Sequence, residues 1–204
     1  INPSMLTPTT IKGTESAISN VLERAPFPYY DCDPNLSIEV VTRSYLGNTG
    51  GNATSFNPVI SGDGNHIAFV TNATNLMAGG PSIPKIFVYH RLSCVIESVS
   101  ISSNGVLANQ FSELPSISDD GRYIVFSSAA TNLVDNHLNN SNDVFLRDMQ
   151  MGTTTWISRA NNNSPSGGGG GTPLISGNGR YIVYASGGSD LVPNDTNNQV
   201  DIFQ

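Results

Sequence analysis

The chain repeats itself with a period of 57–58 residues, and this repeat limits its fold more than any other feature. Leu-Pro-Ser-Ile-Ser-Asp-Asp-Gly-Arg-Tyr-Ile-Val-Phe at 114–126 returns as Thr-Pro-Leu-Ile-Ser-Gly-Asn-Gly-Arg-Tyr-Ile-Val-Tyr at 172–184. An earlier copy, Asn-Pro-Val-Ile-Ser-Gly-Asp-Gly-Asn-His-Ile-Ala-Phe, occupies 57–69. At an offset of 58, residues 115–145 and 173–203 agree at 16 of 31 positions. A period of this length marks an array of supersecondary units, none of which buries its apolar face alone.

The middle copy shows what one unit contains. Pro115–Ser118 reads as a short strand, closed by the turn Asp119-Asp120-Gly121, where glycine can take a positive φ. In the strand Arg122–Ser128 both alternating sets are apolar (Tyr123 and Val125; Ile124 and Phe126), so both faces should be covered. A polar loop over 132–142 leads to Asp143–Asp148, and a turn through Met151-Gly152 leads to the β-branched strand Thr153–Arg159 with the only tryptophan, Trp156. Four short antiparallel strands, covered on both faces, describe one blade of a β-propeller.

The recurring pattern is Pro-x-Ile-Ser-x-Asp-Gly-x-x-Ile-x-Phe, then Asn-Leu-Val, then Asp-Val-Phe-x-Arg-Asp, then Thr-Thr-x-x-Ser. Over residues 57–204 it resembles the WD40-like (PD40) repeat of TolB-type β-propellers. The resemblance implies a ring of about six or seven blades, used mainly as a binding platform. It also covers propeller domains attached to peptidases and other enzymes, in which the propeller carries no catalytic residue. The first copy departs from the pattern, with Gly79-Gly80-Pro81 and Lys85 in place of the Asn-rich loop and the Asp.

Counting strands yields an all-β chain with about three blades. First and second strands are expected at 57–61 and 66–71, at 114–118 and 122–128, and at 172–176 and 180–186. Third strands are expected at 85–90, 143–148 and 200–204, and fourth strands at 95–101, 153–159 and, out of order, 37–44. The expected layout is an extended arm over 1–26, strands of a split blade over 27–44, blades over 57–101 and 114–160, and an incomplete blade over 172–204. Three blades do not close a ring, because closed propellers hold about four to eight. The open blade edges therefore call for a protein partner or for self-association.

Composition narrows the function classes. A net charge of −7 and a pI near 4.7 leave no basic stripe for phosphates, so no nucleic-acid partner is expected. No apolar run approaches the roughly 18–20 residues of a membrane helix. Two Lys against 23 Asn indicate a surface solvated by amides and hydroxyls, as in extracellular, cell-surface or periplasmic proteins. Cys32 and Cys94 each precede a matching expected strand, which leaves a disulfide and two separate thiols as alternatives.

The one candidate site is the loop Asp195-Thr-Asn197-Asn-Gln-Val-Asp201, whose oxygen ligands at Asp195, Asn197 and Asp201 alternate as in loops that hold calcium. The second copy carries His137, Asn139 and Asp143 there, and turn capping by Asn and Asp explains the same pattern without a metal. Asp63, Asp119 and Asp120 read as turn residues, and Arg122 and Arg180, at the same blade position, with Asp148 as members of an Arg–Asp pair between strands or between blades. The three histidines, His66, His90 and His137, read as unrelated blade positions. Gly-x-Ser-x-Gly and a Walker loop are absent. Sequons occur at Asn35, Asn52, Asn72, Asn139, Asn162 and Asn194. With no catalytic residue and no cofactor beyond the calcium loop, the expected protein is a non-catalytic binding or structural subunit. The alternative is the propeller domain of a larger hydrolase or lyase.

Overall fold

Three times the chain reverses on a Ser-x-Asp/Asn-Gly turn, and each reversal joins the first two strands of one sheet. In the middle turn Ser118 Oγ donates to Asp120 Oδ1, and the same hydroxyl accepts from Tyr123 N at 3.0 Å. Ser61 with Asp63 and Ser176 with Asn178 repeat the arrangement. Gly64, Gly121 and Gly179 complete the turns at φ 71°, 71° and 69°, a region that favours glycine.

The structure, a computed structural model, describes residues 39–46, 49–78, 80, 82–137, 141–160, 166–197 and 199–204. All of them belong to the unit Cys32–Gln204, and the expected arm over 1–26 lies outside the described residues. The first sheet consists of β1 (Ser55–Ile60), β2 (His66–Thr71), β3 (Lys85–His90) and β4 (Val95–Ser98). The second holds β5 (Ser112–Ile117), β6 (Tyr123–Ser128), β7 (Asp143–Asp148) and β8 (Thr153–Trp156). The third holds β9 (Gly171–Ile175), β10 (Ile182–Ser186) and β11 (Asp201–Phe203). Every pairing is antiparallel and follows chain order, so the chain is all-β and forms propeller blades of four, four and three strands.

The first strands begin earlier than the sequence suggests, because a bulge carries pairing across each Xaa-Pro step. The register shifts between Phe56 and Val59 and between Glu113 and Ser116, and in the third sheet between Val183 and Ala185 of β10 opposite β9. Asn57, Leu114 and Thr172, each followed by Pro, sit at φ 49°, 54° and 46°. A bulge takes a residue without an amide donor out of the ladder, which is how proline enters a strand.

The expected strand over 37–44 is not found in its described part. Residues 39–42 carry no strand, and Arg43 makes one isolated bridge to Gly50. Gly51 N donates to Thr42 O at 2.7 Å and Tyr45 N to Asn75 O at 2.8 Å, so the segment is used as a loop that docks on the first sheet. Its β-branched residues lack a partner ladder among the described residues, and strand propensity has little effect without one. The Ile101–Leu107 bridge is the same loop one period later.

The sheets pack face to face. Ala68, Val70, Ile86 and Val88 of the first sheet bury against Ile124, Phe126, Phe145 and Trp156 of the second. Val125 and Val144 on the other side of the second sheet bury against Tyr184 and Leu191 of the third. Each sheet stacks a cross-strand aromatic pair: Phe69 on Phe87, Phe126 on Phe145 and Tyr184 on Phe203, with centroids 6.4, 5.8 and 5.8 Å apart. Phe126 and Phe145 are completely buried, as the repeat alignment requires. Ile67, Ile182, Val183 and Phe203, which the repeat aligns with the buried Ile124, Val125 and Phe145 of the second sheet, are only half-buried. Among the described residues no helix is long and apolar enough to cross a membrane.

Candidate functional site

The loop between β10 and β11 places Asp195, Asn197 and Asp201 around a shallow polar cavity of about 420 Å³. Asn197 Nδ2 donates to Asp201 Oδ2 at 2.9 Å, and Asn197 Oδ1 accepts from Gln199 N at 2.8 Å. The amide oxygen that the sequence offers as a ligand thus caps a turn. Among the described residues no group of three or more His, Cys, Asp or Glu side chains is arranged to hold a metal ion.

One period earlier the same positions form a sealed polar network. Asp143 at the start of β7 accepts from His137 Nε2 at 2.9 Å and from Ser158 Oγ at 2.7 Å. Ser158 Oγ also accepts from Val144 N at 2.8 Å and from Trp156 Nε1 at 3.3 Å, and the His137 ring stands edge-on to Trp156 and Phe145. Both His137 and Asp143 have side chains with 0% exposure. The carboxylate lies between the hydroxyl and the imidazole, so the order differs from a Ser-His-Asp triad, in which the imidazole itself contacts the hydroxyl. A carboxylate acceptor places a proton on His137 Nε2, and Nδ1 has no hydrogen-bond partner among the described residues.

Two of the histidines read as unrelated turn out to be neighbours. His66 and His90 are register partners across β2 and β3, with Nδ1 atoms 2.9 Å apart. One ring must therefore accept through an unprotonated nitrogen. His90 Nε2 lies 3.4 Å from Glu97 Oε2, and the group borders a cavity of about 320 Å³ with Leu92 and Val95. The contact falls where the second sheet pairs Tyr123 with Asp148, in a register across β2 and β3 that the Asp-Gly turn between β1 and β2 does not set.

Arg122 and Lys85 are used to join separate segments of the chain. Arg122 grips Asp148 with two nitrogens, Nε at 3.1 Å and Nη2 at 2.8 Å. This bond holds the Asp148 carboxyl below the usual carboxylate range, as the Ser118 hydroxyl does for Asp120. Lys85 stands where the second sheet has Asp143. It is 1% exposed, donates to Gln110 O at 2.8 Å, and is pushed by burial down to about 8.

Sequence reasoning missed a pair of asparagine clasps. Asn52 and Thr74 exchange bonds of 2.8 and 2.9 Å while Asn75 Oδ1 accepts from Asn52 N at 2.8 Å, and Asn109, Thr131 and Asn132 repeat every one. The recurrence of Ala-Thr-Asn-Leu at 73–76 and 130–133 was the available signal. The three Xaa-Pro bulges line an apolar cavity of about 370 Å³ that contains no titratable group. Cys94 is disulfide-bonded, and the one other cysteine in the sequence, Cys32, lies outside the described residues.

What the strand order and the packing define is a partial β-propeller. No protein-family model matches the chain, and no curated protein matches it. Among solved structures it is similar to TolB from Acinetobacter baumannii, at 15% identity and a TM-score of 0.45 over 75% of this chain and 30% of that one. It is also similar to a putative TolB from Agrobacterium tumefaciens, at 19% identity and 0.46 over 71% and 44%. A third is the β-propeller domain of the Trilobed protease from Pyrococcus furiosus, at 14% and 0.40 over 65% and 34%. The chain thus spans less than half the length of each.

Proposed function

We propose that this chain is a non-catalytic propeller module, acting outside the cytoplasm as a protein-binding or structural subunit of a larger assembly. The observation that carries this reading is how its reactive side chains are used. His137 and Ser158 both donate to Asp143 in a sealed core. The aspartates of the Asp-Gly turns bond to their own turns. Such groups stabilise blades and offer nothing to a substrate. The disulfide at Cys94 and the scarcity of Lys support an oxidising compartment. The competing reading is the propeller domain of a larger hydrolase or lyase. The test is the native mass of the protein purified from its source, with assays of ester and peptide hydrolysis on the same fraction. An assembly that contains other chains and no hydrolytic activity is expected. Activity lost on Ser158→Ala, in a variant that still folds, would overturn the proposal.

A further inference from the structure

We infer that His66 and His90, facing each other across β2 and β3, form a chelating site for a divalent copper ion, with Glu97 holding the His90 ring from behind. The inference goes beyond the function proposed above and does not depend on it. The two Nδ1 atoms are 2.9 Å apart and the rings stand at 85°, so a proton between them keeps two lone pairs from meeting. His90 Nε2, on the far side of its ring, makes no hydrogen bond among the described residues and lies 3.4 Å from Glu97 Oε2. Both imidazoles therefore turn the same nitrogen inward, and a carboxylate stands behind one of them. Metal-bound histidines are held in this way, the second ring nitrogen giving its proton to a carboxylate.

The blade itself does not require these residues. One period later the positions of His66, His90 and Glu97 hold Tyr123, Asp148 and Thr155, and Asp148 is gripped by Arg122. In the first copy the place of Arg122 is taken by Asn65, whose amide turns to Asp63 instead. Arg147 feels the charge of Glu97 but gives its Nη1 bonds to Gly152 O and Thr154 Oγ1, so it does not draw the carboxylate from His90. A cavity of about 320 Å³ borders the two histidines and Glu97, with room for an ion and its waters. The ion takes the place of the shared proton, which leaves to water, and a small rotation of the rings carries both lone pairs onto it. With bonds of about 2.0–2.1 Å, adjacent corners of a tetragonal site lie about 2.8–3.0 Å apart, and those of a tetrahedral zinc site about 3.3–3.4 Å. The Nδ1 spacing fits the tetragonal class, in which copper(II) binds nitrogen most strongly. Two imidazoles are the protein's share of the ligands, and water takes the other corners.

The test titrates copper(II) into the full chain with its disulfide intact, and follows the bound ion by equilibrium dialysis and electron paramagnetic resonance. One ion per chain should bind in the micromolar range, with a spectrum split by two imidazole nitrogens. His66→Tyr installs the residue that the second copy has at this position, and a thermal melt checks that the variant folds. It should abolish the split spectrum, and His90→Gln should do the same. Glu97→Gln should weaken binding about tenfold or more, the usual cost of losing such an outer partner. No copper on the folded chain, or binding that survives His66→Tyr, overturns the inference and leaves the pair as an interstrand hydrogen bond only. An affinity unmoved by Glu97→Gln overturns the part given to that carboxylate. None of these results touches the proposed function, which is read from native mass and hydrolytic activity.

Discussion

The second and third sheets are nearly the same sequence in two different surroundings. At an offset of 58 they share 16 of 31 residues, yet Phe145 is completely buried while Phe203 is half-buried, and Val144 is completely buried while Ile202 is 74% exposed. The second sheet has a neighbour on each face and its own fourth strand. Among the described residues the third has a neighbour on one face only, and β11 is its edge. The polar residues follow the same division. Asp143 is sealed between His137 and Ser158, whereas Asp201 meets Asn197 at an exposed loop. Burial in this architecture is thus a property of the interface between blades, and a repeat supplies only half of each interface.

The comparison breaks most visibly if equivalent aromatics cost the same. Phe145→Ala should destabilise the chain by about 3–5 kcal/mol, the range for a completely buried Phe. Phe203→Ala should cost less, roughly 1–2 kcal/mol, since part of its side chain already meets water. Equal shifts in urea midpoint would show that the third sheet is as tightly packed as the second. Next in size is the carboxylate pair. Asp143→Ala orphans two buried partners and should cost about 3 kcal/mol. Asp201→Ala should stay within about 0.5 kcal/mol, as exposed substitutions do. The network is a single unit, so Ser158→Ala combined with Asp143→Ala should cost well under the sum of the two.

Why one half of this comparison was legible and the other not follows from what a repeat encodes. Periodicity locates the strands, the Asp-Gly turns and the aromatic pairs, because each depends on residues within one unit. Phe126 and Phe145 could be placed in that way, whereas for Arg122 and Asp148 the repeat left a pair between strands and a pair between blades both open. The His66–His90 contact depends on register across β2 and β3, and a single substituted period hides it. The asparagine clasps join residues 22 and 23 apart, across a first strand and the loop that follows β2 or β6. The strand expected at 37–44 has the right residues but no ladder in the described chain, and composition does not report that lack.

Two pH effects sharpen the contrast further. Asp148 is held below the usual carboxylate value by Arg122, so its contribution is present above that value and is lost as pH falls through the folded one. Arg122→Gln should flatten the loss of stability below about pH 4, whereas Arg180→Gln, at the exposed third-sheet position, should leave the acid limb unchanged. Lys85 has the opposite slope. Its unfolded form keeps a proton to the ordinary 10.5, while the folded group releases it near 8. Between those values the unfolded chain binds more protons, and stability rises with pH. Lys85→Met should abolish that rise, read as a urea midpoint that no longer increases from pH 8 to 10.

The smallest effect concerns the loop that the sequence offers to calcium. A hard cation needs six to eight oxygens that converge, several of them carboxylate. Here Asn197 turns its amide nitrogen toward Asp201 and gives its oxygen to Gln199 N, so two of the three candidate ligands already satisfy each other. The sealed counterpart is satisfied too, by an imidazole and a hydroxyl in place of a metal. In both loops the candidate side chains bond to one another or to nearby backbone, buried in one and open in the other. Chelation of the copper-free chain with EDTA should leave the melting temperature unchanged, and calcium should not raise it. A fall on chelation, restored by calcium and absent in Asp201→Ala, would make the open loop a metal site and end its equivalence with the buried network.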